Sequence, residues 1–329
     1  MRPVRTAFAG ALLGVLALAG CGQSPAPATS DTATSDTAAS GASASSSGSP
    51  DSPAAAGFPV TVEAGNGSIA IAKRPERIVS LSPTATESLF AVGAGAQVVA
   101  VDDQSNYPAE APKTDLSGFK PNAEAIIAKK PDLVVLANDS DGIVAKLTKV
   151  NVPVLLEPSA AKLDEAYDQI ADLGAATGNT AKAEEVVAGM KKQIDELAAV
   201  APKDKKLTFY HELDSTPFSV TSTTFIGQIY GLFGLTNVAD KAPEAAGGYP
   251  KLSAEFVAQA DPDLIFLADT KCCAQSRDTL AKRPGWSKLS AVKNDRVIAL
   301  DDDIASRWGP RVVDLAKQVG DAAQKAATD

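Results

Sequence analysis

The chain has 329 residues, 45% of them hydrophobic and 22% charged, which is enough apolar material for a sizeable core and a length that suits two domains or lobes. Its formal charge of −9, with no basic block, argues against nucleic acid or anionic lipid headgroups as the main partner. A single histidine, His211, and three cysteines exclude metal centres built on two or three histidines or on four cysteines, and no Walker loop, dinucleotide-binding glycine motif or nucleophile-elbow serine motif occurs.

Arg2 and Arg5 precede an apolar run from Ala7 to Ala19, too short to span a bilayer but suited to the core of a signal peptide over residues 1–20. The run ends in Leu18-Ala19-Gly20-Cys21, which resembles the bacterial lipobox and makes Cys21 the expected lipid attachment point. Gly22 to Gly57 carries no aromatic or branched aliphatic side chain and cannot build a core. Residues 21–57 therefore read as a lipidated cysteine with a disordered Ala/Ser/Thr tether, whose mean reach is on the order of 30 Å.

From Phe58 onward, short β-branched runs alternate with helical stretches: Ile78–Leu81, Val98–Val101, Leu133–Leu136 and Val152–Leu156, then Leu207–Tyr210, Leu264–Leu267 and Val297–Leu300. This alternation predicts an α/β fold with largely parallel sheets. Between the two groups, Ala183, Val186, Val187, Met190, Ile194 and Leu197 form one apolar stripe without a proline, so a long helix is predicted within residues 179–202. The lobes then occupy residues 58–178 and 203–329.

An internal echo supports this division. Asn122-Ala-Glu-Ala-Ile-Ile-Ala-Lys-Lys-Pro-Asp-Leu-Val-Val-Leu136 matches Ser253-Ala-Glu-Phe-Val-Ala-Gln-Ala-Asp-Pro-Asp-Leu-Ile-Phe-Leu267 at a constant offset of 131 residues. A looser echo pairs the hydroxyl-rich stretch Thr84–Gly93 with Thr221–Tyr230. Two copies of one α/β unit imply a ligand cleft between lobes, beyond the carboxyl ends of the strands.

Arg77-Ile-Val-Ser-Leu-Ser-Pro-Thr-Ala-Thr-Glu-Ser-Leu-Phe-Ala-Val-Gly93, Asn106-Tyr107-Pro108, the two Ala-Glu…Pro-Asp-Leu segments and Arg307-Trp-Gly-Pro-Arg311 resemble the iron-siderophore and vitamin B12 type of ABC-importer substrate-binding proteins, over about residues 73–322. The resemblance implies two lobes bridged by a rigid helix, a bulky metal chelate held between them, and delivery to a permease dimer with a cytoplasmic ATPase. It implies a monomer on the extracytoplasmic face of the membrane, no enzyme activity, and no cofactor beyond a ligand containing iron or cobalt.

The same resemblance assigns roles to residues. Glu124 and Glu255, in the first turns after the caps Asn122 and Ser253, match the family's permease-docking glutamates; read alone, each simply complements a helix dipole. Tyr107 and Tyr249 stand where the family lines its cleft with aromatics, with Phe218, Phe119 and Trp308 as further candidates and core packing as the alternative. Asp303 and Arg307 follow the last strand at the spacing that B12-binding members use for their ligand; the alternative for Arg307 is a local ion pair with Asp301, Asp302 or Asp303. Those members carry tryptophans in the stretches corresponding to Leu116–Phe119 and Leu136–Asn138, where this chain has none.

His211 follows a strand and reads as a ligand contact or a hydrogen-bonded structural residue. Cys272-Cys273 reads as a strained vicinal disulfide, as buried thiols, or as a soft-metal site, since neighbouring α-carbons lie about 3.8 Å apart, below the usual disulfide range. A haem-binding protein of the same family, an extracellular hydrolase using His211, Glu212 or Asp214, and a sensor lipoprotein remain the alternatives. A neutral hydroxamate siderophore or corrinoid suits the candidate set better than a triply anionic catecholate, for which Lys271, Arg307 and Arg311 are the nominated cations.

Overall fold

The computed structural model describes residues 57–243 and 246–328; the expected signal segment, Cys21 and all but the last residue of the tether lie outside them. Strands β1 (Val60–Ala64) and β2 (Gly67–Ile71) form an antiparallel hairpin whose alternation buries Val62 and Ile71. Sequence reading had not anticipated this pair.

Four short strands follow: β3 (Ile78–Leu81), β4 (Val98–Val101), β5 (Leu133–Leu136) and β6 (Val154–Leu156). They pair in parallel in the order β4-β3-β5-β6. β3 and β5 are buried along their whole length, as expected of strands covered on both faces. The hairpin is pinned to this sheet by Asn66, whose side chain donates to the Val154 carbonyl and accepts from the Leu156 amide, both at 3.0 Å. Helices α1 (Pro83–Ala91), α2 (Ala123–Ile127), α3 (Ile143–Thr148) and α4 (Leu163–Thr177) connect or flank the strands.

Helix α5 (Thr180–Ala199) then runs for 20 residues and buries Ala183, Met190 and Ile194 against α4 and the last helix of the chain. The approach to α4 is so close that a Cβ on Gly174 would stand 2.3 Å from that of Ala183.

The second sheet comprises β7 (Thr208–Glu212), β8 (Thr236–Asn237), β9 (Leu264–Leu267) and β10 (Val297–Ala299), parallel in the order β10-β9-β7-β8. Its helices are α6 (Phe225–Leu232), α7 (Ala254–Ala260), α8 (Arg277–Ala281), α9 (Ser290–Lys293), α10 (Asp302–Ser306) and α11 (Val312–Thr328). The fold is thus the expected α/β type with two parallel sheets, and one apolar core runs through α1, α4, α5 and α11 to join them.

The internal echo has a physical basis. Asn122 and Ser253 each cap their helix by accepting the amide three residues on, at 3.0 Å in both cases. The aspartates of the two Pro-Asp pairs then tie adjacent strands together. Asp132 accepts the Arg77 amide and Asp263 the Thr208 amide, each at 2.8 Å, at the starts of β3 and β7.

Candidate functional site

A cleft of about 420 Å³ opens beyond the carboxyl ends of the first sheet. Ser82 and Thr84 follow β3, Asp102 and Gln104 follow β4, Ala137 and Asn138 follow β5, and Ser159 follows β6; Asp303, Arg307 and Trp308 reach in from the other half, after β10. Parallel strands leave their connecting loops at this end, so many short segments converge here. Gly118 lets one wall close: a Cβ there would meet the Leu81 carbonyl at 2.7 Å. Beside it Phe119 is 74% exposed and lines the cleft.

Arg307 is the central feature. It is 8% exposed, and both terminal nitrogens are committed within the protein: Nη1 donates to Glu87 Oε1 at 2.7 Å and to Asn106 Oδ1 at 3.0 Å, while Nη2 donates to the Gln104 carbonyl at 3.0 Å and to Asp303 Oδ1 at 2.8 Å. Arg307 thus lines the cleft and is ion-paired as well, so the local ion pair named as its alternative is present together with partners from further away. Of the neighbouring aspartates only Asp303 pairs with it, and the other partners lie in the first half. Arg307 forms part of the cleft wall and clasps the halves together. Arg311 donates to the same Glu87 carboxylate from Nε at 2.9 Å and Nη2 at 2.5 Å. Asp303 also accepts from Asn106 at 3.0 Å and from Lys271 Nζ at 2.8 Å. Burial alone would raise the Asp303 carboxyl, but the bonds from Lys271 and Asn106 and the Arg307 charge hold it below the usual carboxylate range.

Asp102 is buried in the opposite wall, accepting from the Gln104 amide at 2.8 Å and Ser105 Oγ at 3.1 Å; burial dominates and raises its carboxyl. The ionisable lining residues are thus Asp102, Asp303 and Arg307, and the single cation is already shared between carboxylates. The remaining lining offers hydroxyls, amides, Phe119 and the half-buried Trp308, whose Nε1 donates to Gln169 Oε1 at 2.8 Å.

Other expected residues fall elsewhere. Tyr107 is 46% exposed and lines a separate depression with Phe90, Pro310 and Arg311, its ring 4.2 Å from the Arg311 guanidinium carbon. Tyr249 is 43% exposed and is not among the residues lining the cleft, and Phe218 packs under Lys251. His211 is corrected most plainly: it is fully buried, its Nδ1 2.8 Å from the Tyr230 hydroxyl, and desolvation pushes its imidazole down to about 3, so it is a neutral core residue. Glu212 is equally buried, gripped by both terminal nitrogens of Arg283 at 2.6 Å, and Asp214 accepts from Thr216; neither is poised as an acid or base. Glu124 and Glu255 are exposed in the first turns of α2 and α7. Cys272 and Cys273 carry free thiols, exposed and half-buried respectively, in the loop after β9.

Sequence reading missed Asp102, Asn138 and Ser159, although each stands one to three residues after a strand, which is the signal that could have found them. It also missed Glu157, 5% exposed, whose Oε1 has no hydrogen-bond partner and faces a small cavity bounded by Ser82, Ser88 and Trp308. Burial, reinforced by the Asp172 charge, pushes this carboxyl up to about 8.

The family model for periplasmic binding proteins matches residues 78–304. An uncharacterized ABC transporter substrate-binding lipoprotein of Bacillus subtilis is 31% identical over 277 residues, covering 80% of this chain and 85% of that one. A vitamin B12-binding protein of Vibrio cholerae is 28% identical over 253 residues, covering 74% of this chain and 87% of that one. Among solved structures, a periplasmic heme-binding protein from Roseiflexus in apo form superposes with a TM-score of 0.68 at 27% identity, covering 77% of this chain and 99% of the other. These relatives are binding proteins and none is named as an enzyme. With the family model matched over residues 78–304 and a relative 31% identical over 80% of its length, this chain belongs to the periplasmic binding protein family.

Proposed function

We propose that the protein captures an uncharged metal chelate, a hydroxamate siderophore or a corrinoid, and delivers it to an ABC permease driven by a cytoplasmic ATPase. The observation that carries this reading is the charge of the cleft: two aspartates against one arginine that is already paired. A polyanionic catecholate would meet no unpaired cation among the described lining residues, whereas a neutral chelate finds aromatic faces and hydroxyl and amide groups. Haem is disfavoured because neither His211 nor Tyr107 stands in the cleft as an axial ligand.

The lipobox supports attachment through Cys21, which would hold a monomer on the outer face of the membrane. No helix among the described residues is long and apolar enough to cross a membrane. Glu124 and Glu255, exposed at equivalent helix starts, suit a permease whose two subunits present equivalent cations. Cellular uptake tests the proposal. Deleting the gene should abolish accumulation of labelled cyanocobalamin or of iron from ferrichrome, and restoring it should return accumulation; uptake of both unchanged by deletion contradicts the reading.

A further inference from the structure

The loop that carries Cys272 and Cys273 is wired to the cleft wall. Asp302, at the start of α10, accepts the amides of Thr270 at 2.8 Å, Lys271 at 3.0 Å and Cys272 at 2.9 Å. Burial would raise the Asp302 carboxyl, yet the amides of Cys272 and Lys271 and the contacts of Thr270 together hold it below the usual range. Lys271 reaches over α10 to Asp301 and Asp303, each at 2.8 Å, and Asp303 in turn holds Arg307 at 2.8 Å and Asn106 at 3.0 Å. The thiols are adjacent, with Cys272 exposed and Cys273 half-buried. Hydrogen bonding with Cys273 is the main cause that raises the Cys272 thiol, to about 12. Ala274 follows in the left-handed region at φ 52°, a strained position for a side chain with a Cβ.

We propose that Cys272-Cys273 is a reversible oxidation site whose disulfide loosens α10 and weakens ligand binding at the cleft. A low-molecular-weight disulfide supplies the oxidant. Because the raised Cys272 thiol stays protonated, the Cys273 sulfur attacks first, giving up its proton, releasing one thiol and forming a mixed disulfide; the Cys272 sulfur then gives up its proton as it displaces the second thiol. Two S–H bonds are lost, one S–S bond forms, and the external disulfide is reduced to two thiols. The ring so closed spans adjacent α-carbons about 3.8 Å apart, tighter than ordinary disulfide geometry, so the peptide between them must distort and the bond stays readily reducible. The distorted peptide carries the Cys273 amide, which donates to the Asp269 carbonyl at 3.3 Å, and it adjoins the Cys272 amide, one of the three that hold Asp302, so the strain reaches Asp302 through the Cys272 backbone. The effect on ligand rests on the chelate-binding reading above; the disulfide and its effect on α10 do not.

The full-length protein is reduced, or oxidised with glutathione disulfide, and three things are read. Trypsin releases both cysteines in one peptide, Cys272–Arg277, which should be lighter by two hydrogens after oxidation. Hydrogen exchange at residues 301–307 should accelerate in the oxidised form. Cyanocobalamin or ferrichrome, whichever binds the reduced form, should bind about tenfold more weakly after oxidation, with recovery on reduction and no response in the Cys272→Ser/Cys273→Ser variant. A peptide in which both thiols still alkylate after oxidation, or a disulfide that leaves exchange in α10 unchanged, overturns the proposal. So does an unchanged affinity for a probe that binds. If neither probe binds the reduced form, the chelate reading fails, and exchange at α10 alone decides the redox site.

Discussion

Glu87 and Arg307 lie 220 residues apart in sequence and are joined at 2.7 Å, with side chains 2% and 7% exposed. Glu87 sits on α1 in the first half of the fold, and Arg307 follows α10 in the second. Because Arg311 takes the same carboxylate, one acid in the first half holds two guanidinium groups from the second. Removing the acid leaves both cations without their shared partner; removing either cation leaves the acid one partner.

Glu87→Ala should therefore destabilise the protein by about 3–5 kcal/mol, the range for breaking a buried ion pair from one side. Arg311→Ala, which leaves Glu87 on Arg307, should lose less, about 1–3 kcal/mol. Denaturant titration of the two variants against wild type checks the order, and an equal loss would mean that the two arginines do not share the load.

Phe119 is 74% exposed at the cleft edge, so it contributes little to the core but has a free face for a ligand. Phe119→Ala should leave thermal stability within about 0.5 kcal/mol. Affinity for the bound chelate should fall by about 1–2 kcal/mol, on the order of five- to thirtyfold. A melt alongside an affinity measurement separates the two effects.

Glu157 gives a pH dependence with a definite sign. Its carboxyl rises from 4.5 to about 8 on folding, so between those values the folded state holds more protons than the unfolded chain and stability falls as pH rises; below 4.5 the contribution is constant. Asp172, pushed up to about 6 chiefly by burial, acts in the same direction over a narrower window. Glu157→Gln should match wild type near pH 4.5 and exceed it by about 1–3 kcal/mol at pH 8.5. Urea midpoints at both pH values decide this, and parallel curves would show that Glu157 ionises freely.

For docking, the double variant Glu124→Arg/Glu255→Arg should keep ligand affinity within about threefold, because both residues are exposed on α2 and α7 and outside the cleft, while uptake in cells falls at least tenfold through like-charge repulsion. Uptake assays beside titrations on the purified variant measure both.

Much of the fold was legible because its strands are short, buried runs. Leu133–Leu136 and Leu264–Leu267 are found at their expected limits, each entered by a Pro-Asp whose aspartate also ties the neighbouring strand. The hairpin Val60–Ile71 was not, since its strands are polar on one face and draw stability from Asn66 reaching β6 some 90 residues away. The candidate site was legible only in part. Asp303, Arg307, Trp308 and Phe119 do line the cleft. Of the partners of Arg307, Asp303 was legible as a neighbouring aspartate, whereas Glu87, Gln104 and Asn106 lie about 200 residues away and no local pattern near residue 307 points to them. For His211 the second of its two readings, a hydrogen-bonded structural residue, is the one found: β7 runs on through Glu212, and the His211 ring turns inward to Tyr230.

The central claim is that the cleft selects an uncharged chelate. Calorimetric titration of the purified protein with cyanocobalamin, ferrichrome, haem and a ferric tris-catecholate tests it directly. The charge balance of Asp102, Asp303 and Arg307 predicts saturable one-to-one binding of cyanocobalamin or ferrichrome, at about micromolar or tighter, and at least tenfold weaker binding of the trianionic catecholate. Tight binding of the catecholate or of haem, with neither neutral chelate bound, would contradict it.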